Sequence, residues 1–478
     1  MINSMRSLKI ILSFLLAFIS FAIYPQSLID TTWKGSIDIM GTEIGIIVKF
    51  KTEAGVLSAK IDIPEQNAND LELSKVSFDN PKVHFELEAG PRTAVFEGIY
   101  YVDSISGTFT QLSATGRFWL LKGEPEKKVD ENKFPEDLLY NSEEITFTNG
   151  ENTFAGTLTY PLTQGKHPAV VMITGSGAQN RDEEIYGFKI FAVIAGYLTK
   201  KGIAVLRYDD RGVGGSKGKI VNESTTEDFA GDVLASVEYL KTRDNINTSQ
   251  IGLFGHSEGG IVAPLAASKS NDIAFIILMA GTGVMGIDII KEQSKLIMKA
   301  DNSSDKEIEG YEKMLDTVYA AVRDNKNLNE VKEKIKNDII ENFEQIPKEE
   351  RKKIKDKEQY ANDVAEMTIS QFSSKWMKYF LRYDPYDALT KVKCPVLMLF
   401  GELDLQVPPK QNEEPMLKAL KNGGNTDYKS VIFPKANHLF QEARTGSPNE
   451  YASLKKEFVP GFLETVSAWI LERVAVIR

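Results

Sequence analysis

Histidine and cysteine are scarce in this chain, and each scarcity narrows its chemistry. Of 478 residues, four are histidine and one is cysteine. A single thiol, Cys394, excludes an internal disulfide and a cysteine-based metal site. Long basic runs are missing too. The net charge is −10, which argues against a nucleic-acid partner. The apolar stretch from Ile10 to Ile23 follows Arg6 and Lys9 and is short for a bilayer span. Small residues Ser20 and Ala22 suit cleavage after Ala22, with cleavage near Gln26 as a second option, so residues 1–26 read as a secretory signal peptide. An uncleaved anchor is the alternative. No cysteine follows that would take a lipid, so no stable membrane span is expected after cleavage. Export without disulfides points to a periplasmic or secreted protein. The sequence carries no signal of oligomeric state.

What the chain does have is a serine in an unusual setting. Ser257 stands in Gly255-His256-Ser257-Glu258-Gly259, between the apolar run Ile251–Phe254 and the small-residue run Ile261–Ala267. That is strand, tight turn, helix. The flanking glycines lack the Cβ atoms that would clash in a strained turn, so the hydroxyl is held up at the end of a sheet as a nucleophile.

A nucleophilic serine needs a base, and only four histidines compete. His84 lies in an N-terminal β-rich segment. His167 precedes Pro168 at the mouth of a strand and suits a turn. His256 is the strand residue beside Ser257, so pleating directs it to the opposite face. His438 remains, in Phe433-Pro434-Lys435-Ala436-Asn437-His438, just past the apolar strand Val431–Phe433. Asp404 is the expected acid, with Glu402 its nearest rival. Both follow the continuous apolar strand Pro395–Phe400, typical of a sheet buried on both faces. Asp404 would orient His438 and stabilise the imidazolium formed as Ser257 is deprotonated. The oxyanion donors are expected to be the backbone N–H of Glu258 and that of Ser176, with Gly177 the second choice. Ser176 and Gly177 belong to Thr174-Gly175-Ser176-Gly177, which follows Ala169–Ile173.

The elbow, the Gly-Ser-Gly loop with Asn180-Arg181-Asp182-Glu183, and Arg207–Ser216 together make the chain resemble the α/β-hydrolases. The match is to secreted bacterial carboxylesterases related to the serine aminopeptidase and prolyl-oligopeptidase-like branches, some of which carry an N-terminal β domain. The resemblance covers roughly residues 143–478 and includes Gly401-x-x-Asp404-x-x-Val407-Pro408 and Asn437-His438. It implies the chain order serine, acid, histidine, and a base in the loop that carries His438. It also implies hydrolysis of a small-molecule ester with no metal or cofactor, a peptidase or amidase with the same triad being the alternative. Thr174 departs from the family pattern where many relatives have His, and Ala436 where many have Gly. A third reading makes the β domain a binding module on an inert scaffold.

Such a length calls for two or three units. Residues 27–122 alternate with period two and read as an antiparallel barrel or sandwich. Its expected strands are Trp33–Ile39, Gly45–Phe50, Val83–Glu88, Val95–Tyr100 and Ser106–Thr110. Residues 123–142 read as a linker. Residues 143–478 read as a mainly parallel, doubly covered sheet, interrupted at about 284–389 by a helical cap. Ser304-Asp305-Lys306-Glu307 is a capping box for a helix bearing Ile308, Tyr311, Leu315, Val318 and Val322. Trp376 and Phe380, at i and i+4, fit the wall of an acyl pocket or ordinary helix packing. Gly281–Gly286 matches G-x-G-x-x-G but lacks the acidic strand end of a dinucleotide site. Asp210 with Arg211 is expected to tie down the 210–219 turn, and Arg181 or Arg211 facing a substrate carboxylate is a weaker idea.

Overall fold

In the computed structural model, described for residues 29–123 and 139–476 except 40–41, 54–55, 64–67, 90–91, 102–103, 112–113, 324–325, 327, 346–350, 352–353 and 355, period-two alternation builds the first unit. Val56–Ile63 shows the pattern, with Leu57, Ala59 and Ile61 buried and Val56, Ser58 and Lys60 exposed between them. The eight strands are β1 Thr32–Ile39, β2 Thr42–Glu53, β3 Val56–Ile63, β4 Ala68–Asp79, β5 Lys82–Ala89, β6 Arg92–Tyr101, β7 Ser104–Gln111 and β8 Ala114–Lys122. Each pairs antiparallel with the next, and β1 pairs with β8, so the sheet closes into a barrel without free edges. Aromatic rings fill the interior. Phe85 stacks on Phe96 at 4.5 Å, and Phe50, Phe109 and Phe118 meet the pair edge-on or tilted.

The expected signal peptide and most of the expected linker lie outside the described residues. The second sheet starts earlier than expected: β9 (Tyr140–Asn149) opens at Tyr140 rather than past residue 142, because it pairs along its full length with β10 (Asn152–Pro161). Six parallel strands follow: β11 (His167–Ile173), β14 (Ala204–Tyr208), β15 (Ile246–His256), β16 (Phe275–Met279), β17 (Val396–Gly401) and β18 (Tyr428–Phe433), with a short hairpin, β12 (Glu184–Ile185) and β13 (Phe188–Lys189), before β14. The sheet runs β18-β17-β16-β15-β11-β14-β10-β9. Alternate residues of β11 serve opposite faces: Val170 and Met172 pack under α1 (Ile190–Lys200), whereas Ala169, Val171 and Ile173 pack under α2 (Thr226–Lys241) and α3 (Gly259–Ala267). This is the α/β-hydrolase fold preceded by a separate barrel.

Between β16 and β17 the chain leaves the sheet in a helical segment that includes α4 (Gly286–Ala300), α5 (Asp305–Arg323), α6 (Leu328–Glu341), α7 (Lys357–Ser373) and α8 (Lys375–Phe380). The capping box forms: Glu307 Oε2 accepts from Ser304 N at 2.7 Å and Ser304 Oγ accepts from Glu307 N at 3.3 Å. Leu315, Val318 and Val322 of α5 bury against the same core as α1.

Barrel and sheet meet at the β12–β13 hairpin. The Trp119 ring of β8 meets Tyr186 edge-on at 5.9 Å, and Tyr186 in turn meets Tyr451 at 6.2 Å. Trp33, fully buried, donates its indole N–H to Ile29 O at 2.9 Å and meets Tyr100 at 6.0 Å. Trp33→Ala is therefore expected to destabilise the barrel by about 3–5 kcal/mol. Urea unfolding followed by the remaining tryptophans would show it, and an unchanged midpoint would contradict the packing described.

Candidate active site

Ser257 sits between β15 and α3 with φ +52°, a left-handed conformation that a residue with a side chain adopts only when its surroundings enforce it. The surroundings here are backbone. Its N–H donates to Met279 O at 2.9 Å, and its carbonyl accepts from Gly260 N at 2.9 Å. A Cβ on Gly255 would lie 2.0 Å from Gly259 O, and one on Gly259 would lie 2.2 Å from Ile173 O. Only glycine fits at either place. The turn is thus wedged between β11, β15 and β16, with Ser257 only partly buried at the carboxyl ends of the strands.

Asp404 follows the end of β17 and His438 the end of β18, so the sheet brings all three to one edge. His438 Nδ1 lies 2.8 Å from Asp404 Oδ2, with both side chains buried. The other carboxylate oxygen, Oδ1, accepts from the N–H groups of Gln406 and Val407, each at 2.8 Å. Both carboxylate oxygens of Asp404 are therefore engaged, which holds one orientation. Glu402 takes a different part: its Oε2 accepts from Lys435 N at 2.9 Å. Asn437 shapes the loop around His438, its Oδ1 accepting from the N–H groups of Leu439 at 3.0 Å and Gln441 at 2.9 Å. At the two positions that depart from the family pattern, Thr174 donates its hydroxyl to Asp210 Oδ1 at 2.7 Å, and buried Ala436 accepts from Leu403 N at 2.8 Å.

The 174–177 loop presses directly on the elbow. A Cβ on Gly175 would sit 3.2 Å from Ser257 Cβ. The Gly175 N–H is taken by Glu183 Oε1 at 2.7 Å. Among the described residues, neither the Ser176 nor the Glu258 N–H donates to another backbone carbonyl. Gly177, at φ +97°, turns the chain away. The side chain of Glu258 is buried and gathers donors from three directions: the Ser176 hydroxyl, Thr226 Oγ1 at 2.8 Å, and Trp376 Nε1 of the cap at 2.9 and 3.0 Å. Burial outweighs these donors and raises its pKa above the ordinary carboxyl value. A cleft of about 380 Å³, counted with its solvent mouth, opens beside this loop between Thr174, Gly177, Phe229 and Glu258.

His256, set aside as the base, has contacts of its own beside the site, and one expectation about Arg211 needs correcting. The His256 ring lies 4.8 Å from that of His438, with Nδ1 2.9 Å from Glu183 Oε1 and Nε2 3.1 Å from His438 O. Burial alone would disfavour its imidazolium. The Glu183 carboxylate, the His438 carbonyl and the charge of Asp404 more than offset that and hold its pKa above the usual value. Arg211 does not pair with Asp210. It forks onto Asp232, with Nη2 to Oδ1 at 2.7 Å, while Arg181 forks onto Asp209 and also contacts Glu144. Both guanidinium groups are spent on the protein's own carboxylates. His84 lies in the barrel beside Glu97 and Glu86, and His167 closes a turn onto Thr163 O at 3.0 Å. Among the described residues, no three histidine, cysteine, aspartate or glutamate side chains converge as metal ligands would.

Asp210 is partly buried beneath the loop, and desolvation of its carboxyl pushes its pKa well above the ordinary value, with the nearby charges of Glu183 and Glu258 adding to the shift and Thr174 and Gln179 opposing it. A carboxyl whose folded-state pKa is raised contributes stability that is intact below the unfolded value of about 3.9 and is lost as pH rises through the folded value. Asp210→Asn cannot ionise. Its unfolding free energy relative to the parent is therefore expected to improve steadily as pH rises above the acid range. Urea midpoints compared across acid, neutral and alkaline buffers would show this, and a constant difference would contradict it.

Residues 188–442 match the model of the serine aminopeptidase S33 family of hydrolases. The esterase EstD of Thermotoga maritima is 27% identical over 323 residues, which cover 67% of this chain and 66% of EstD. An uncharacterised 31.7 kDa protein of Escherichia coli is 25% identical over 267 residues, covering 54% of this chain and 80% of that protein. Among solved structures, the Pyrococcus furiosus esterase Pf2001 aligns with TM-score 0.43 and 15% identity over 72% of this chain and 94% of its own. The α/β hydrolase GrgF from Penicillium aligns with TM-score 0.41 and 19% identity over 70% and 97%. The family model spans more than half of the chain, from β13 to just past His438, and its span contains Ser257, Asp404 and His438. The chain belongs to the serine aminopeptidase S33 family of α/β-hydrolases.

Proposed function

We propose that this protein is an exported serine hydrolase that cleaves carboxylic esters through an acyl-enzyme. The observation that carries the reading is the buried 2.8 Å contact between His438 Nδ1 and Asp404, set at the same sheet edge as a strained, partly exposed serine. The contact keeps a proton on His438 Nδ1, donated to the Asp404 carboxylate, and leaves Nε2 as the basic nitrogen. Ser257 Oγ attacks the ester carbonyl while His438 removes its proton. The N–H groups of Glu258 and Ser176 hold the oxyanion, with Glu258 at the positive end of α3. His438 then protonates the departing alcohol, and water repeats the cycle on the acyl-serine. The likeness to EstD favours esters over peptides. The family's aminopeptidase branch makes the amide reading the one to test beside it.

Initial rates on p-nitrophenyl acetate, butyrate, octanoate and laurate, with aminoacyl p-nitroanilides beside them, separate the two. Ester turnover is expected to fall by about 10⁶ in Ser257→Ala and by about 10⁴ in Asp404→Asn, which leaves His438 without its orienting charge. Turnover that survives Ser257→Ala would remove the nucleophile. Anilide cleavage with feeble ester turnover would move the protein to the peptidases. For export, the mature protein recovered from the periplasm or medium is expected to begin at Ile23 or within a few residues of Gln26, and an intact Met1 would contradict cleavage.

A further inference from the structure

We propose that Glu183 is a positioning residue of this site: with one carboxylate oxygen it fixes the 174–177 loop and, by way of His256, the loop that carries His438. The proposal rests on the reading of Ser257, Asp404 and His438 given above, and it assigns a part to a buried ion pair that this reading leaves unused.

Glu183 is 1% exposed, and its Oε1 faces two donors, Gly175 N at 2.7 Å and His256 Nδ1 at 2.9 Å. His256, 2% exposed, reaches His438 O at 3.1 Å with its other ring nitrogen. An ionised carboxylate and a peptide carbonyl only accept hydrogen bonds. Opposite an ionised Glu183, a ring held between the two satisfies both only when each nitrogen bears a proton, which makes His256 the cation of the pair. A neutral ring would turn a lone pair toward one of the two oxygens. Besides Glu183, the charged or titratable groups around this cation are His438 itself and Asp404.

The chain of contacts joins three segments that the sheet alone does not align. The Gly175 N–H is held by Glu183, which fixes the Thr174–Gly175 peptide, the one immediately before the peptide that carries the Ser176 N–H. His256 is bonded covalently to Ser257. His438 O belongs to the base itself. Glu183 is anchored in turn. Its backbone sits at φ +46° just before the β12–β13 hairpin, whose turn, with Tyr186 at φ +51°, is seated against Trp119 of the barrel. Stability is a poor account of such a pair, because buried ion pairs are commonly replaceable by apolar side chains without loss. Geometry is a better one, since a displacement of about 1 Å costs about 10²-fold in rate.

The test is steady-state hydrolysis of p-nitrophenyl acetate by the full mature chain and by Glu183→Gln, His256→Gln and the double variant. Thermal unfolding and stoichiometric labelling of Ser257 by a fluorophosphonate serve as checks of folding. Glu183→Gln keeps an acceptor for Gly175 but removes the charge, so kcat is expected to fall by about 10²-fold with KM little changed, the signature of a loss confined to the transition state. The two single losses should not multiply in the double variant, because both cut one chain of contacts. Glu183→Asp, with the charge kept, should recover part of kcat. An unchanged kcat in Glu183→Gln, a rise in KM alone, or losses that multiply would overturn the proposal. If Glu183→Gln fails to fold, His256→Gln carries the test, since it leaves Glu183 on Gly175 and cuts only the arm to His438. A parent enzyme without Ser257-dependent ester turnover would overturn the underlying reading and this one with it. Such turnover with an indifferent Glu183 overturns only the positioning role.

Discussion

The left-handed backbone of Ser257 is the constraint on which the arrangement of this site depends. A residue with a side chain pays about 1–2 kcal/mol for that conformation, and nothing in the local sequence returns it. What holds it is the parallel sheet. The carbonyl of Ile173 at the end of β11 occupies the space beside Gly259, and that of Met279 at the end of β16 accepts the Ser257 N–H. The turn is therefore gripped by strands on both sides of β15, β16 buried throughout and β11 buried from Ala169 to Ile173. Any shift of those strands releases the strain and lowers the serine. The loops after β11, β17 and β18 then inherit their positions from the same strands, so one register decides all of them.

Electrostatics around the 174–177 loop follow a related logic. Three carboxyl groups, the buried Glu183 and Glu258 and the partly buried Asp210, lie near where a negative charge is proposed to develop. Three full anions there would oppose it. Burial raises the pKa of Asp210 and Glu258, which favours their neutral forms, and Glu183 is matched by the His256 ring. The loop thus gains acceptors that fix its geometry at little cost in local negative field. Asp210 holds Thr174 and Gln179, and Glu258 holds Ser176, Thr226 and Trp376.

Legibility in the sequence tracked how local each cause is. The elbow is readable because its glycines stand within two residues of the serine, and their necessity is a matter of contact with adjacent backbone. The pairing of Asp404 with His438 is readable because apolar runs mark strand ends and histidines are few; the choice over Glu402 needed the loop geometry that spends Glu402 on Lys435. In the barrel, the five strands with strong alternation were visible. β3, β4 and β8 are not legible in the same way, and in β4 the reason is visible, since bulges break its register. The contacts of Glu183 and His256 were not readable. They join residues 73 and 182 positions apart, and no spacing rule links such positions. Arg211 failed for the same reason. Its neighbour Asp210 is the obvious partner, yet adjacent side chains diverge, and Asp232 on α2 meets it instead.

The barrel and the cap attach to the hydrolase at residues that adjoin the proposed catalytic groups, and this gives both a bearing on the chemistry without either supplying a reacting atom. Trp376 of α8 donates to both oxygens of Glu258, the residue whose N–H faces the proposed oxyanion. A cap that lifted away would leave a buried carboxyl short of a donor, at a cost of about 1–3 kcal/mol, so the closed arrangement is favoured while Glu258 stays buried. On the opposite flank, Trp119 bears on Tyr186, Tyr186 on Tyr451, and the Tyr451 hydroxyl accepts from Gln406, whose own N–H is bound to Asp404. The two attachments differ in kind. The cap is held by more than the Trp376 contact: Lys375 reaches Asp228, Tyr379 reaches Glu227, Asp301 accepts from Ser447 and Asn449, and Leu315, Val318 and Val322 bury in the core shared with α1. The barrel meets the hairpin by ring packing. Each flank therefore fixes a different part of the site, the cap side through Glu258 and the barrel side through the loop that holds the acid.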